Sequence, residues 1–344
     1  MPAEWEAHAA TWIAWPHHEP DWPGKLDAVT WVYAEIVRVL APHERVEILC
    51  PDDAVQERAR HALTAHGVAR DGYRLHIVPT DRAWLRDSAP MAVAAGGRVE
   101  LVRWQFTGWA KYDNYAADAE VGPAVSTITG LPLVDARRPD TGGVAVLEGG
   151  AIDVNGAGLA LVTEECLLSD VQLRNPGLTR DGYEQLFRTY LGVRQTLWLG
   201  SGCAGDDTHG HVDDVARFVA PDVVVLAYEP DPADDNHEAS KENLRRLQLA
   251  GGNGGAFRVV CLPYPRPVTM EGRRLPASYA NFYLANGLAL VPTFNDPQDR
   301  IALTRLAELM PDRRIVGIHA VDLVWGYGTL HCLTQQQPRT PNGA

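Results

Sequence analysis

The chain has 344 residues, 46% of them hydrophobic and 22% charged, and a formal net charge of −13 at pH 7. That length can bury a large core, and the excess acid disfavours attachment to phosphate backbones or anionic lipid; no nucleic acid or membrane partner is expected, and small cations are favoured. No window approaches eighteen consecutive apolar residues, the start lacks a basic and apolar leader, and five scattered cysteines form no C-x-x-C pair, which together predict a cytoplasmic protein with reduced thiols and no structural zinc.

From the start of the chain, strand-like apolar runs alternate with amphipathic helices. Leu26, Val29, Tyr33, Ile36 and Val37 recur at helical spacing over 25–40, between the runs at 11–15 and 45–50. A second helix is expected over 54–66, capped by Asp52 or Asp53 and closed by Gly67, before the run at 75–78. Residues 92–146 offer no helix of this kind, but Gly96 and Gly97 between two apolar runs predict a hairpin. The third helix is expected over 177–191 with Thr179 as cap, the fourth over 237–249 and the fifth over 299–309, each flanked by apolar runs. Five strand–helix–strand units without a Pro- or Ser-rich linker predict one α/β domain over 1–344 packed around a shared centre.

Four polar clusters interrupt these runs. Trp84-Leu-Arg86-Asp87 precedes Pro90, which disfavours helix at Ala89 and places Asp87 on a turn. Glu148 closes the apolar run at 144–147 and is followed by two glycines, so that a carboxylate at a strand mouth is positioned to receive a cation. The segment Asp206-Asp207-Thr208-His209-Gly210-His211-Val212-Asp213-Asp214 admits two readings. Alternation along a strand gives either a metal set of His209, His211, Asp206 and Asp213, or an acid/base at His211 beside a cation anchor at Asp213. The last cluster runs from Gly326 to Gln337, where glycines at 326 and 328 allow close backbone approach and Cys332 is a candidate nucleophile.

One thiol, one or two histidines and three carboxylates suit a planar cation. A guanidinium presents five N–H donors that two or three carboxylates can hold, leaving its central carbon open to a thiolate, and its charge lowers the thiol pKa. The reaction class that follows is hydrolytic deimination.

These motifs resemble the agmatine deiminase and bacterial-type peptidylarginine deiminase family. The likeness runs from Pro2-Ala-Glu-Trp5 and Trp12-Ile-Ala-Trp15, through Trp84-Leu-Arg86-Asp87, Trp109-Ala-Lys-Tyr112, Glu148-Gly-Gly, Thr163-Glu-Glu-Cys166 and Gly210-His211-Val-Asp213, to Ser278-Tyr-Ala-Asn281-Phe-Tyr283 and His331-Cys332-Leu-Thr-Gln-Gln. The resemblance implies a five-bladed α/β-propeller, the pentein fold, with no metal and no organic cofactor. It also implies the roles: Cys332 as nucleophile, His211 as acid and base, Asp87 and Asp213 on the guanidinium nitrogens, and Glu148 on the same group and on His211. Agmatine is the expected substrate, with peptidylarginine or another small guanidino compound as alternatives, and a homo-oligomer is left open. Arg82 and Ala83 follow Asp81 where the family often carries an extra acidic residue, and Asp81 is expected to contact substrate. Trp84, Trp109, Trp325 and Tyr327 are expected to wall the pocket.

Overall fold

The computed structural model describes residues 1–251 and 257–339. Five sheets of three or four strands and one small hairpin make up its β-structure. The second sheet begins with an antiparallel pair, Met91–Ala95 with Arg98–Arg103, joined by Gly96 and Gly97 in the left-handed region that a two-residue turn requires. A helix, Val121–Thr129, then returns the chain to a parallel strand, Leu133–Asp135. The same ββαβ order recurs three times. It appears in Asp153–Val154 and Leu159–Thr163 with Gln195–Leu199, in Ala216–Ala220 and Val223–Tyr228 with Arg258–Pro263, and in Tyr283–Ala285 and Leu288–Thr293 with Arg314–His319.

The first sheet follows this order by drawing on both ends of the chain. Thr334–Pro338 supplies the antiparallel strand to His8–Ala14, which continues through the helix Leu26–Leu40 to the parallel strand Arg45–Cys50. A second crossover, Asp53–Ala65 to Tyr73–Ile77, extends this sheet by one strand. The expected count of five helical units therefore had a different composition. The helices expected over 25–40 and 54–66 both serve one sheet, and the missing unit is Val121–Thr129, inside the segment where no helix was expected. Its sequence, with Gly122, Pro123 and a run of β-branched residues, has low intrinsic helix propensity and buries only Val121, Gly122 and Val125. Tertiary packing forms this helix, and Gly130 in the left-handed region ends it.

The other boundaries follow local chemistry. Asp52 accepts a hydrogen bond from the Val55 N–H at 2.8 Å, and Thr179 caps Arg180–Leu186 by accepting from the Gly182 N–H at 3.3 Å. That helix passes into a π turn over Phe187–Leu191. The remaining helices, His237–Gly251 and Pro297–Leu309, lie where the periodicity places them. All five cysteines are free thiols, and no helix among the described residues is long and apolar enough to cross a membrane.

Candidate active site

Each unit's first strand is preceded by a short turn, and these five turns meet. Cys332 lies on Leu330–Leu333 before the strand at 334, and Asp87 on Leu85–Ser88 before the strand at 91. Glu148 precedes the turn Gly149–Ala151, Asp213 lies in Val212–Asp214, and Asn281 comes just before Tyr283. The site therefore sits at strand entrances. Two expectations are corrected by this. The run at 144–147 forms only isolated bridges, so Glu148 opens a sheet instead of closing a strand. Residues 206–211 are not a strand, so the alternation that aligned His209 with His211 does not operate.

Within the cluster, Cys332 Sγ is 3.6 Å from Asp213 Oδ2 and receives a hydrogen bond from Asn281 Nδ2 at 3.1 Å. His211 Nδ1 lies 3.9 Å from Asp87 Oδ1, and its Nε2 lies 3.9 Å from Glu148 Oε2. Both ring nitrogens, Glu148 Oε2 and Asp213 Oδ1 are buried without a hydrogen-bond partner among the described residues. Such atoms are costly to leave unpaired, and their convergence marks a place shaped for a donor-rich ligand. Asp87 is aimed by two donors, the Gly150 N–H at 3.0 Å and Trp109 Nε1 at 2.9 Å. A Cβ on Gly150 would stand 2.4 Å from His211 Nδ1 and 3.1 Å from Asp87 Oδ1, so only glycine leaves this space open.

Electrostatics follow from packing acids together out of water. Burial pushes the Asp87 carboxyl up to about 6; the charge of His211 opposes the rise, and Asp213 and Glu148 add to it. Burial also tends to raise Asp213, but hydrogen bonding and charge from His331, with the charges of His211 and Arg217, hold it below the usual range. Burial, then the charges of Asp213, Asp214 and Asp87, push the Cys332 thiol well up. Without a cation the thiol keeps its proton. With Asp87 as anchor for a cationic substrate, kcat/KM is expected to fall about tenfold per pH unit below pH 6, where the carboxylate takes up its proton. A pH–rate profile that stays flat down to pH 5 would contradict this.

A cavity of about 140 Å³ leads to the cluster, lined among others by Cys332, Asp87, Trp84, Trp109, Tyr112 and Tyr327. Trp84, Trp109 and Tyr327 thus stand where a pocket wall was expected, and Trp109 and Tyr327 hold backbone angles in the left-handed region that non-glycine residues rarely adopt. Asp81 and Trp325 do not line it. Asp81 accepts from the Ala117 N–H at 2.7 Å, which spends its carboxylate on a loop, and Trp325 packs beneath the Lys25 ammonium at 5.0 Å. The imagined metal set also separates. His209 faces Ser169 at 3.0 Å and Glu165 at 3.7 Å, and Asp206 is used by the Gly210 and His211 N–H groups at 2.7 and 3.0 Å.

Several contributors escaped the sequence reading. Arg174 donates to Glu148 Oε1 at 3.1 Å, both side chains being fully buried. His331 bridges Asp213 Oδ2 at 2.7 Å and Glu4 Oε2 at 2.8 Å. Glu4 also accepts from Arg86 at 3.1 Å, from Arg217 at 2.8 Å and from the Leu284 N–H at 2.8 Å. The charges of Arg217, His331 and Arg86 overcome the burial penalty and hold the Glu4 carboxyl well below its ordinary range. Asn281 Oδ1 accepts from Thr329 Oγ1 at 2.7 Å and the His331 N–H at 3.0 Å, which ties the Cys332 turn down. For Glu4, His331 and Asn281 the only signal was their place inside the family-like motifs, since a glutamate two residues before Glu6 or an asparagine between aromatics has no periodicity to betray it; Arg174 and Arg217 lie outside those motifs.

The profile of the family described as Porphyromonas-type peptidyl-arginine deiminase matches residues 1–338. The agmatine deiminase of Ectopseudomonas mendocina is 34% identical over 369 residues, covering 100% of this chain and 96% of its own. Among solved structures, the agmatine deiminase of Enterococcus faecalis superposes with a TM-score of 0.88 at 29% identity, covering 98% of this chain and 95% of that one. A substrate-bound C. jejuni agmatine deiminase gives 0.87 at 26% identity, covering 99% and 96%. The shared architecture is the α/β pentein fold. With a family profile spanning nearly every residue, and a relative above 30% identity covering both chains almost end to end, the chain belongs to the Porphyromonas-type peptidyl-arginine deiminase family.

Proposed function

We propose that this protein is an agmatine deiminase, a hydrolase of guanidino C–N bonds that yields N-carbamoylputrescine and ammonia in the cytoplasm. The observation that carries the reading is the clustering of Cys332, His211, Asp87, Asp213 and Glu148, with unpartnered buried acceptors among them, next to a narrow cavity that Cys332 and Asp87 line. Five sheets whose entrance turns meet also support a five-bladed arrangement of one catalytic domain.

Asp87 and Asp213 hold the guanidinium nitrogens, and the bound positive charge lowers the pKa of the thiol that the empty site keeps high. The thiol proton passes to His211, and sulfur adds to the central carbon. His211 returns that proton to one terminal nitrogen, which departs as ammonia and leaves a thiouronium on Cys332. Water then gives a proton to His211 and adds to the same carbon; collapse expels the sulfur, which recovers the proton, and releases the ureido product. Glu148, fixed by Arg174 on one oxygen, directs the other at His211 and orients its ring. A panel of guanidino compounds assayed for ureido product and ammonia tests the assignment. Agmatine should react; binding without ammonia release would make the protein a binder, and reaction only with peptidylarginine would move the substrate.

A further inference from the structure

The cavity has two electrically different ends. Its floor is acidic, but at the other end every carboxylate is already paired. Asp21 Oδ1 accepts from Arg82 at 2.6 Å and from His18 at 3.1 Å, and its Oδ2 accepts from Trp84 Nε1 at 3.1 Å. Asp207 takes the Lys111 ammonium on one oxygen and the Tyr112 hydroxyl on the other at 2.7 Å. The Tyr112 ring is occupied as well, because the Arg82 guanidinium lies 4.0 Å from its centre and 5.8 Å from that of Trp109. Arg82 itself is only 9% exposed and lines the cavity. It donates to Asp21 and to Asn114, yet its Nε has no partner among the described residues. Here an ammonium tail would have to share Asp21 or Asp207 with the donors they already hold, whereas an anionic tail would meet a buried cation with a spare donor.

We propose that Arg82 reads the far end of the substrate and that the enzyme deiminates ω-guanidino carboxylates, which carry a guanidinium at one end and an anion at the other. This rests on the deiminase reading above and extends its substrate class. The chemistry is unchanged: sulfur adds at the guanidinium carbon, ammonia leaves, and water restores the thiol.

The test compares kcat/KM for 4-guanidinobutanoate and agmatine, first in the wild-type protein and then in Arg82→Met. Wild type should turn over 4-guanidinobutanoate at least as efficiently as agmatine. In R82M the acid-to-amine ratio of kcat/KM should fall at least about tenfold, the scale of one hydrogen bond between charged groups. Turnover of agmatine with none of the acid overturns this proposal and leaves the deiminase reading intact. An unchanged ratio in R82M also overturns it, assigning Arg82 to packing against Asp21. Reaction of neither compound overturns this proposal and the assignment of agmatine as substrate. The wild-type comparison decides the substrate class even should R82M fail to fold, and Arg82→Lys, which keeps the charge, should retain more of the ratio than R82M.

Discussion

Replacing Cys332 by alanine should lower ammonia release from agmatine by at least about 10⁴-fold, some 5.5 kcal/mol of lost transition-state stabilisation, while agmatine still binds. The reason is the division of labour in the site. In the proposed assignment guanidinium affinity resides in Asp87, Asp213 and Glu148, and this set stays in place without the sulfur, because Asp87 is fixed by Gly150 and Trp109, and Glu148 by Arg174. The covalent step has no substitute, since Cys166, the thiol near His211 and Glu148, is buried and pushed well up by that burial. Binding measured by calorimetry should persist in the variant, and more than 1% residual turnover would remove Cys332 from the role of nucleophile.

Glu4→Ala should unfold more easily by about 3–5 kcal/mol, the usual cost of removing one partner from a buried charge network. Glu4 collects Arg86, Arg217 and His331 beneath the site, and Arg217 has a fully buried side chain. Asp153 still faces Arg217 and Gln336 still faces Arg86, which keeps the loss finite. With unfolding entropy near 2.1 cal/mol/K per residue, a chain of this length should lose roughly 4–7 °C in Tm. His331 would also lose its hold, so Asp213 should shift and kcat fall together with stability. A melting temperature within a degree of wild type would show that the network adds nothing net.

How legible this was in the sequence depended on which physical signal each part emits. Amphipathic helices with strong periodicity, such as Leu26–Leu40 and Pro297–Leu309, announced themselves, and Gly96-Gly97 announced its hairpin. Val121–Thr129 did not, because its composition argues against helix and only packing imposes it. The inward carboxylates, His211 and the thiol were visible as rare chemistry beside glycines. Their common location at strand entrances was not, because the run before Glu148 looks like a strand and is none. Asp81 and Trp325 were misassigned for the same reason, since proximity in sequence to a motif does not decide which way a side chain turns. Glu4 and Asn281 act through contacts with residues far away in the chain, information no local window holds.

The pairing of Thr334–Pro338 with His8–Ala14 has a consequence for biosynthesis. The segment next to Cys332 docks against a strand translated long before it, so that strand must wait, with one sheet edge unpaired, while the intervening sheets are made. Nascent chains stalled before position 334 should therefore be inert however well their intervening sheets have formed, and catalytic competence should appear abruptly once residues 334–338 are available to pair.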